Sequence, residues 1–140
     1  MTARVGFCCK YLHPDQTMKP KLLEEIQRPL TEKCTTVAWL NRQTVNEAEQ
    51  RLYDIMHHNM QSAYNLVEYV GNLKPGLCMC RLGSNQLPMY TQPDWRYFWQ
   101  QKDIRDELAK GYARVGELAR QLDVRLSFHP GQFTVLASDN

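Results

Sequence analysis

The 140-residue sequence lacks several features that define broad classes of protein. No stretch approaches the roughly 18 consecutive apolar residues that a membrane-spanning helix requires. The start of the chain lacks the apolar core and cleavage signature of a secretory signal. Internal repeats and low-complexity tracts are also missing. These absences argue against a membrane or secreted protein, and we expect a cytoplasmic, non-secreted one.

The five cysteines are poorly spaced for a metal site. Only one residue separates Cys78 from Cys80, and no second Cys or His pair lies at the distance found in zinc fingers. We therefore expect these cysteines to be small buried hydrophobic residues in a reduced protein. Charge is also uninformative, because a formal net charge of +2 neither requires nor excludes a nucleic-acid partner.

The clearest secondary-structure signal is a long helix. Residues 44–47, Thr-Val-Asn-Glu, have the form of a capping box, and apolar side chains then recur at helical spacing. We expect Gly71 to take the left-handed C-terminal position and Pro75 to prevent continuation. The predicted helix spans Val45 to Val70.

The remaining pattern alternates strands and helices. A second apolar stripe predicts a helix that Asp103 caps and that ends near Leu122. The order β-α-β-α-β, with long connecting helices, favours an α/β protein with parallel strands. The other predicted segments are strands at Arg4–Cys9, Leu77–Leu82 and Val124–Phe128, a proline-containing excursion at His13–Thr36 with a short helix at Lys21–Gln27, and a polar and aromatic loop at Gly83–Gln100.

The third predicted strand leads directly into a candidate site. Parallel strands joined by crossovers end at one edge of the sheet, where α/β proteins place their chemistry. Pro130 and Gly131 stop the strand abruptly after His129. Imidazole commonly binds transition metals, so His129 is a candidate ligand, and the alternative is a structural histidine held by hydrogen bonds.

The polar and aromatic residues near the strands each have two interpretations. Gln132 offers an amide for a base edge and Phe133 a ring for stacking on a base, although a loop aromatic can instead pack on the core. Arg81 and Arg125 either face a barrel interior with an anionic partner or point into solvent.

The rings of residues 93–99 could likewise stack on bases, but a role in covering the core is favoured. His57 and His58 are adjacent on a helix and point in different directions, so we expect surface or edge residues that do not chelate a metal together.

Three segments resemble the UV damage endonuclease family. Residues 125–133, R-L-S-F-H-P-G-Q-F, are similar to the end of the third barrel strand of that family. The start R-V-G-F-C-C at residues 4–9 resembles its opening R-L-G-Y, and C-R-L-G-S-N-Q-L-P at residues 80–88 resembles its second strand. The three matches occur in the family order and extend across nearly the whole chain.

The resemblance implies a TIM (β/α)8 barrel, of which the first three strands and two crossover helices are present. It implies a hydrolase of DNA repair that nicks damaged double-stranded DNA on the 5′ side of UV photoproducts by metal-dependent phosphodiester hydrolysis. The implied cofactors are divalent metal ions, usually manganese. By the same resemblance His129 is a metal ligand, Gln132 and Phe133 are wedged into the duplex, and Phe7 and Tyr11 are DNA-binding positions.

Some positions depart from the family pattern. Phe7 replaces a tyrosine, Tyr11 replaces an asparagine, and Gln92 stands in residues 91–93 where a Ser-His pair usually precedes a proline. Glutamine is a poor replacement for a metal-binding histidine, so one metal position of the family would lack a good ligand in this chain.

Length also departs from the family pattern, because a TIM barrel takes about 250 residues. We expect residues 1–140 to be the N-terminal portion of one barrel domain, inactive alone, with catalytic residues on later strands that this sequence does not identify. The alternatives are another metal-dependent TIM barrel, either an abasic-site endonuclease or a sugar isomerase, and a non-catalytic fragment that binds damaged DNA.

Overall fold

The computed structural model describes residues 3–129, which form a mixed α/β structure. The strands are β1 (Phe7–Cys8), β2 (Met79–Gly83) and β3 (Arg125–His129), and the helices are α1 (Pro20–Gln27), α2 (Val37–Leu40), α3 (Val45–Gly71), α4 (Arg96–Gln100) and α5 (Lys102–Gln121). Short 3₁₀ turns occupy Arg28–Leu30 and Ser84–Gln86. The predicted alternation is confirmed, although the predicted loop after β2 contains a 3₁₀ turn and α4.

The three strands form one parallel sheet in the order β1-β2-β3. In the central strand, Cys80 is the Cα partner of Phe7 on one side and of Leu126 on the other. Further along, Gly83 lies opposite His129. The parallel pairing confirms the α/β prediction and brings the carboxyl ends of the strands to one edge.

Both long helices pack on the same face of this sheet. Cys80 and Leu82 of β2 are 0% and 4% exposed. Their shared core contains Ala63, Leu66, Val67 and Val70 of α3 and Val115 and Ala119 of α5. Because side chains alternate along a strand, Arg81 projects to the opposite face, where it is exposed.

A second core lies between the first half of α3 and the aromatic segment. It contains Leu40, Leu52, Met56, Trp95, Phe98 and Trp99. The Trp99 Nε1–H donates to the Pro88 carbonyl at 2.9 Å, and the Trp95 Nε1–H donates to Asn41 Oδ1 at the same distance. These buried and satisfied rings confirm that residues 93–99 cover the core, while Tyr97 stays exposed.

The first turn of α3 has the predicted capping box. The Glu47 N–H donates to Thr44 Oγ at 3.3 Å, and the Thr44 N–H donates to Glu47 Oε2 at 3.0 Å. Hydrogen bonds from the hydroxyl and N–H of Thr44 lower the pKa of the Glu47 carboxyl.

At the other end of α3, the helix ends one residue later than predicted, before Pro75, but the predicted left-handed conformation of Gly71 is wrong. Gly71 is the last helical residue, and among the glycines of residues 3–129 only Gly76 has a positive φ. A Cβ on Gly71 would lie 2.5 Å from Leu122 Cδ1. Glycine is therefore needed here because the end of α5 packs against the backbone of α3.

The start of α5 also differs from the prediction. Its N-cap is Gln101, and Asp103 lies inside the first turn, where a carboxylate interacts favourably with the helix dipole. The short helix α1 starts at Pro20, one residue before the predicted Lys21, since the fixed φ of proline suits a first helical position.

Burial of Cys80 confirms the interpretation of that residue as a small hydrophobic side chain, whereas the exposed Cys34 shows that the interpretation is wrong for Cys34. Cys80 lies in the core between the sheet and the helices. It is fully buried, and this burial raises the pKa of its thiol to about 11. Within the described part of the chain, no helix has the length and apolar character needed to cross a membrane.

Candidate functional site

His129 lies at the carboxyl end of β3, as the last residue of the strand, and is exposed. Its Cα partner, Gly83, ends β2. On the other side of β2, the Cys9 N–H donates to the Arg81 carbonyl at 3.0 Å, which continues the pairing of β1 by one residue. The ends of the three strands therefore meet around one edge, which we call the strand-end edge.

The sheet face opposite the helices is polar. Arg81 and Arg125 are exposed, and neither forms an ion pair with another residue of the described range 3–129. Within residues 3–129 both guanidinium groups are therefore solvated. The Ser127 hydroxyl oxygen, two residues before His129, is buried and has no hydrogen-bond partner among those residues.

A cavity of about 480 Å³ adjoins the strand-end edge. It is lined by residues 83–91, Cys34 and Phe128. The expected alternation places Phe128 on the same face as Leu126, but Leu126 is partly buried whereas Phe128 is 63% exposed. Phe128 and the 55% exposed Tyr90 give this cavity two rings that can stack on planar groups.

Gln92 is used within its own turn. Its Oε1 accepts from the N–H groups of Asp94 at 2.7 Å and Trp95 at 2.9 Å, while its Nε2 donates to Asp94 Oδ2 at 3.0 Å. The amide therefore initiates the turn that leads into α4. A role for Gln92 at a metal stays untested.

The predicted DNA-binding residues occupy different surroundings. Tyr11 is 8% exposed, and its ring meets the ring of Tyr69 edge-on with centroids 5.0 Å apart. Burial, followed by the interaction with Tyr69, raises the pKa of the Tyr11 hydroxyl. Phe7 is in β1, paired with β2. Gln132 and Phe133 lie outside the described residues, so their roles stay predictions.

The structure adds Glu32, which sequence reasoning missed. Gln86 Nε2 donates to Glu32 Oε2 at 2.6 Å, and the Tyr112 hydroxyl donates to Gln86 Oε1 at 2.9 Å. The carboxylate fills the space where a Cβ on Gly83 would lie. Burial raises the pKa of Glu32, although hydrogen bonds from Gln86 and the Asn85 N–H oppose the shift. The only sequence feature that pointed to this contact of Glu32 was a glycine, Gly83, at the end of β2.

The adjacent histidines behave as expected. His57 is exposed, and its Nε2 lies 2.8 Å from Glu107 Oε2 on α5. His58 points elsewhere, with its Nε2 2.9 Å from the Thr31 carbonyl. The two rings therefore contact different parts of the chain and do not share a ligand position.

The donors present suit a metal ion only in part. Among residues 3–129 there is no group of three or more His, Cys, Asp or Glu side chains that could hold one. An exposed imidazole at a strand end fits one ligand position of a transition metal. The described residues alone do not fit a complete metal centre.

A family model described as UV-endonuclease UvdE matches residues 5–140 of this chain. The chain belongs to the UvdE family. No solved structure matches it.

Curated relatives agree with the family match. The chain is 27% identical over 107 residues to a UV DNA damage endonuclease of Bacillus anthracis (strain A0248). The aligned residues make up 76% of the chain and 32% of the relative. The UV DNA damage endonucleases of Bacillus cereus (strains 03BB102 and B4264) are 27% and 26% identical with the same coverage. The chain thus spans about a third of the length of the curated relatives it matches.

Proposed function

We propose that this chain supplies the first three strands of a DNA-repair endonuclease that nicks double-stranded DNA on the 5′ side of UV photoproducts. The observation that carries the proposal is the exposed His129 at the strand-end edge of a UvdE family member. The names of the curated relatives support the same activity.

A TIM barrel is the architecture we propose for the complete domain. A barrel needs parallel strands with their helices on the outside, and here both long helices pack on one face of a parallel sheet. In such a barrel the face that carries Arg81 would be the interior. The carboxyl edge, with His129, would then be the active face.

Lesion recognition would depend on residues that follow β3. The Gln132 amide can pair with a base edge and the Phe133 ring can stack, so the two side chains can occupy the gap that extruded bases leave. Extrusion costs least where base pairing is already damaged. This lower cost of extrusion would let the protein select lesions without recognising a base sequence.

His129 would hold one position of a divalent cation, and the family resemblance points to manganese. When bound, such a cation polarises the scissile phosphate and lowers the pKa of a bound water. The contribution of this chain is to fix the imidazole at the end of β3, paired with β2 through Gly83.

Binding to UV-irradiated and unirradiated duplexes of the same sequence tests this function. We expect the 140-residue chain to prefer the irradiated duplex and the double variant Q132A/F133A to lose that preference. Q61A/Y64A, which removes an amide and a ring from the groove between α3 and α5, is the matched control and should keep it. Equal affinity of the unaltered chain for both duplexes would contradict the proposal.

Nicking of irradiated plasmid in the presence of manganese tests the separate expectation that residues 1–140 are inactive alone. Robust nicking by the 140 residues would show that no further strand is required for hydrolysis. Substituting His129 with alanine should then abolish it.

A further inference from the structure

A cavity of about 300 Å³ lies beside the carboxyl end of β1. Lys10 enters it from the second position after β1, and the remaining walls come from α1, the following 3₁₀ turn and the segment after it. Its lining residues are Lys10, Glu24, Gln27, Arg28, Thr31, Glu32 and Lys33. The proline-containing excursion thus folds back toward the strand ends.

The charged side chains of this cavity differ in whether they already form an ion pair or a hydrogen bond with another residue. Arg28 Nη2 pairs with Glu24 Oε1 at 3.0 Å, and the Glu32 carboxylate accepts from Gln86. Lys10 and Lys33 are exposed and form no ion pair within residues 3–129. Three cations and two carboxylates leave a formal charge of one positive unit, and two ammonium groups remain available as donors.

The cavity belongs to the same edge as His129. The Glu32 carboxylate in its wall lies against Gly83, which is the Cα partner of His129. Neighbouring strands are about 4.8 Å apart, so the end of β1 is roughly 10 Å from β3 across the edge. A duplex that reaches His129 would also pass this cavity.

We propose that this cavity binds one backbone phosphodiester of duplex DNA through the ammonium groups of Lys10 and Lys33. The inference rests on the proposed function and names a contact for it. A phosphodiester carries one negative charge, which matches the net charge of the lining residues. Contacts of this kind fix the register and orientation of a protein on DNA without reading the sequence. Arg28 stays paired with Glu24 and shapes the wall.

The salt dependence of DNA binding tests the phosphate contact. For each phosphate that a protein neutralises on a duplex, the slope of log K against log salt is steeper by about 0.9. We expect K10Q/K33Q to flatten the slope by about 0.9 on irradiated and unirradiated duplexes alike. The ratio of the affinities for irradiated and unirradiated duplexes should not change, because a contact to the DNA backbone does not distinguish damaged from undamaged bases.

Two control variants keep the test specific. K74Q/K110Q removes the same charge at the turn before β2 and on α5, and it should leave the slope unchanged. K10R/K33R preserves the charge and should retain the original slope. Thermal melting by circular dichroism checks that all three variants fold, and each should unfold in a cooperative transition.

An unchanged slope in K10Q/K33Q, or an equal loss in K74Q/K110Q, would overturn the phosphate site. Failure of the proposed function has a different signature, since the unaltered chain would then bind both duplexes equally. A slope that flattens without any lesion preference would support the phosphate site and contradict lesion recognition. A lesion preference with no change of slope would support lesion recognition and contradict the phosphate site.

Discussion

The two faces of the β-sheet differ in what covers them. On the helix side, Cys80 and Leu82 are almost completely buried against α3 and α5. On the other side, Arg81, Arg125 and His129 are exposed. Apolar burial stabilises a fold by about 25 cal/mol per Å². The helix side therefore holds this sheet together, whereas the polar face and its carboxyl edge expose charged and polar side chains among residues 3–129.

The largest expected effect comes from removing apolar contacts on the helix side. Leu66 of α3 is 3% exposed in the core that contains Cys80 and Leu82. Leu66→Ala should lower the free energy of unfolding by about 2–5 kcal/mol, since it removes buried methyl groups and leaves a cavity. Urea unfolding of the 140-residue chain measures the change.

Arg81→Ala is the matched variant on the opposite face of β2. An exposed side chain away from any special contact should change the free energy of unfolding by no more than about 0.5 kcal/mol. Comparable losses of unfolding free energy in Leu66→Ala and Arg81→Ala would show that the two faces contribute equally to stability, which would contradict the difference between them.

A smaller effect is expected where the two helices meet at Gly71. Gly71→Ala places a methyl group into Leu122 and should cost about 1–3 kcal/mol by overpacking. Gly116→Ala, inside α5, meets only Arg120 Nη1 at 3.7 Å and should stabilise the chain by about 0.5–1 kcal/mol through helix propensity. Urea unfolding of both variants should therefore give shifts of opposite sign. Stabilisation by both substitutions would contradict close packing at Gly71.

The smallest effect is a pH dependence at the strand-end edge. Burial raises the pKa of Glu32 above its ordinary value of 4.5 in the folded chain. The folded state thus holds this proton more tightly than the unfolded state, so stability is greatest below 4.5 and falls as the pH rises through the raised pKa. Glu32→Gln removes this titration.

Urea midpoints of the unaltered chain and Glu32→Gln between about pH 4 and about pH 7 measure this dependence. The unaltered chain should lose stability relative to the variant as the pH increases. A constant difference, or one of opposite sign, would show that the Glu32 carboxylate is not destabilised by burial.

Local signals were sufficient to predict most of the fold. The capping box at Thr44 and Glu47 and the apolar stripe of α3 determine a helix through neighbouring residues alone. Alternation of strands and long helices was enough to predict parallel pairing. It also predicted that His129 would lie at the strand-end edge.

Features that depend on distant contacts were not predicted. The need for glycine at residue 71 comes from Leu122, which lies far along the chain. Glu32 reaches the end of β2 only because the excursion folds back to Gln86, and no local pattern encodes that path. The hydrogen bonds from the Asp94 and Trp95 N–H groups to the Gln92 amide likewise depend on the turn that they form.

We propose that the strand-end edge is the DNA-binding surface of this UvdE family member. Mapping backbone amide shifts by NMR while titrating an irradiated duplex tests it directly. We expect the largest shifts at Lys10, Gly83 and His129. Shifts concentrated instead at Lys74 and Gly76, at the turn before β2, would contradict the claim.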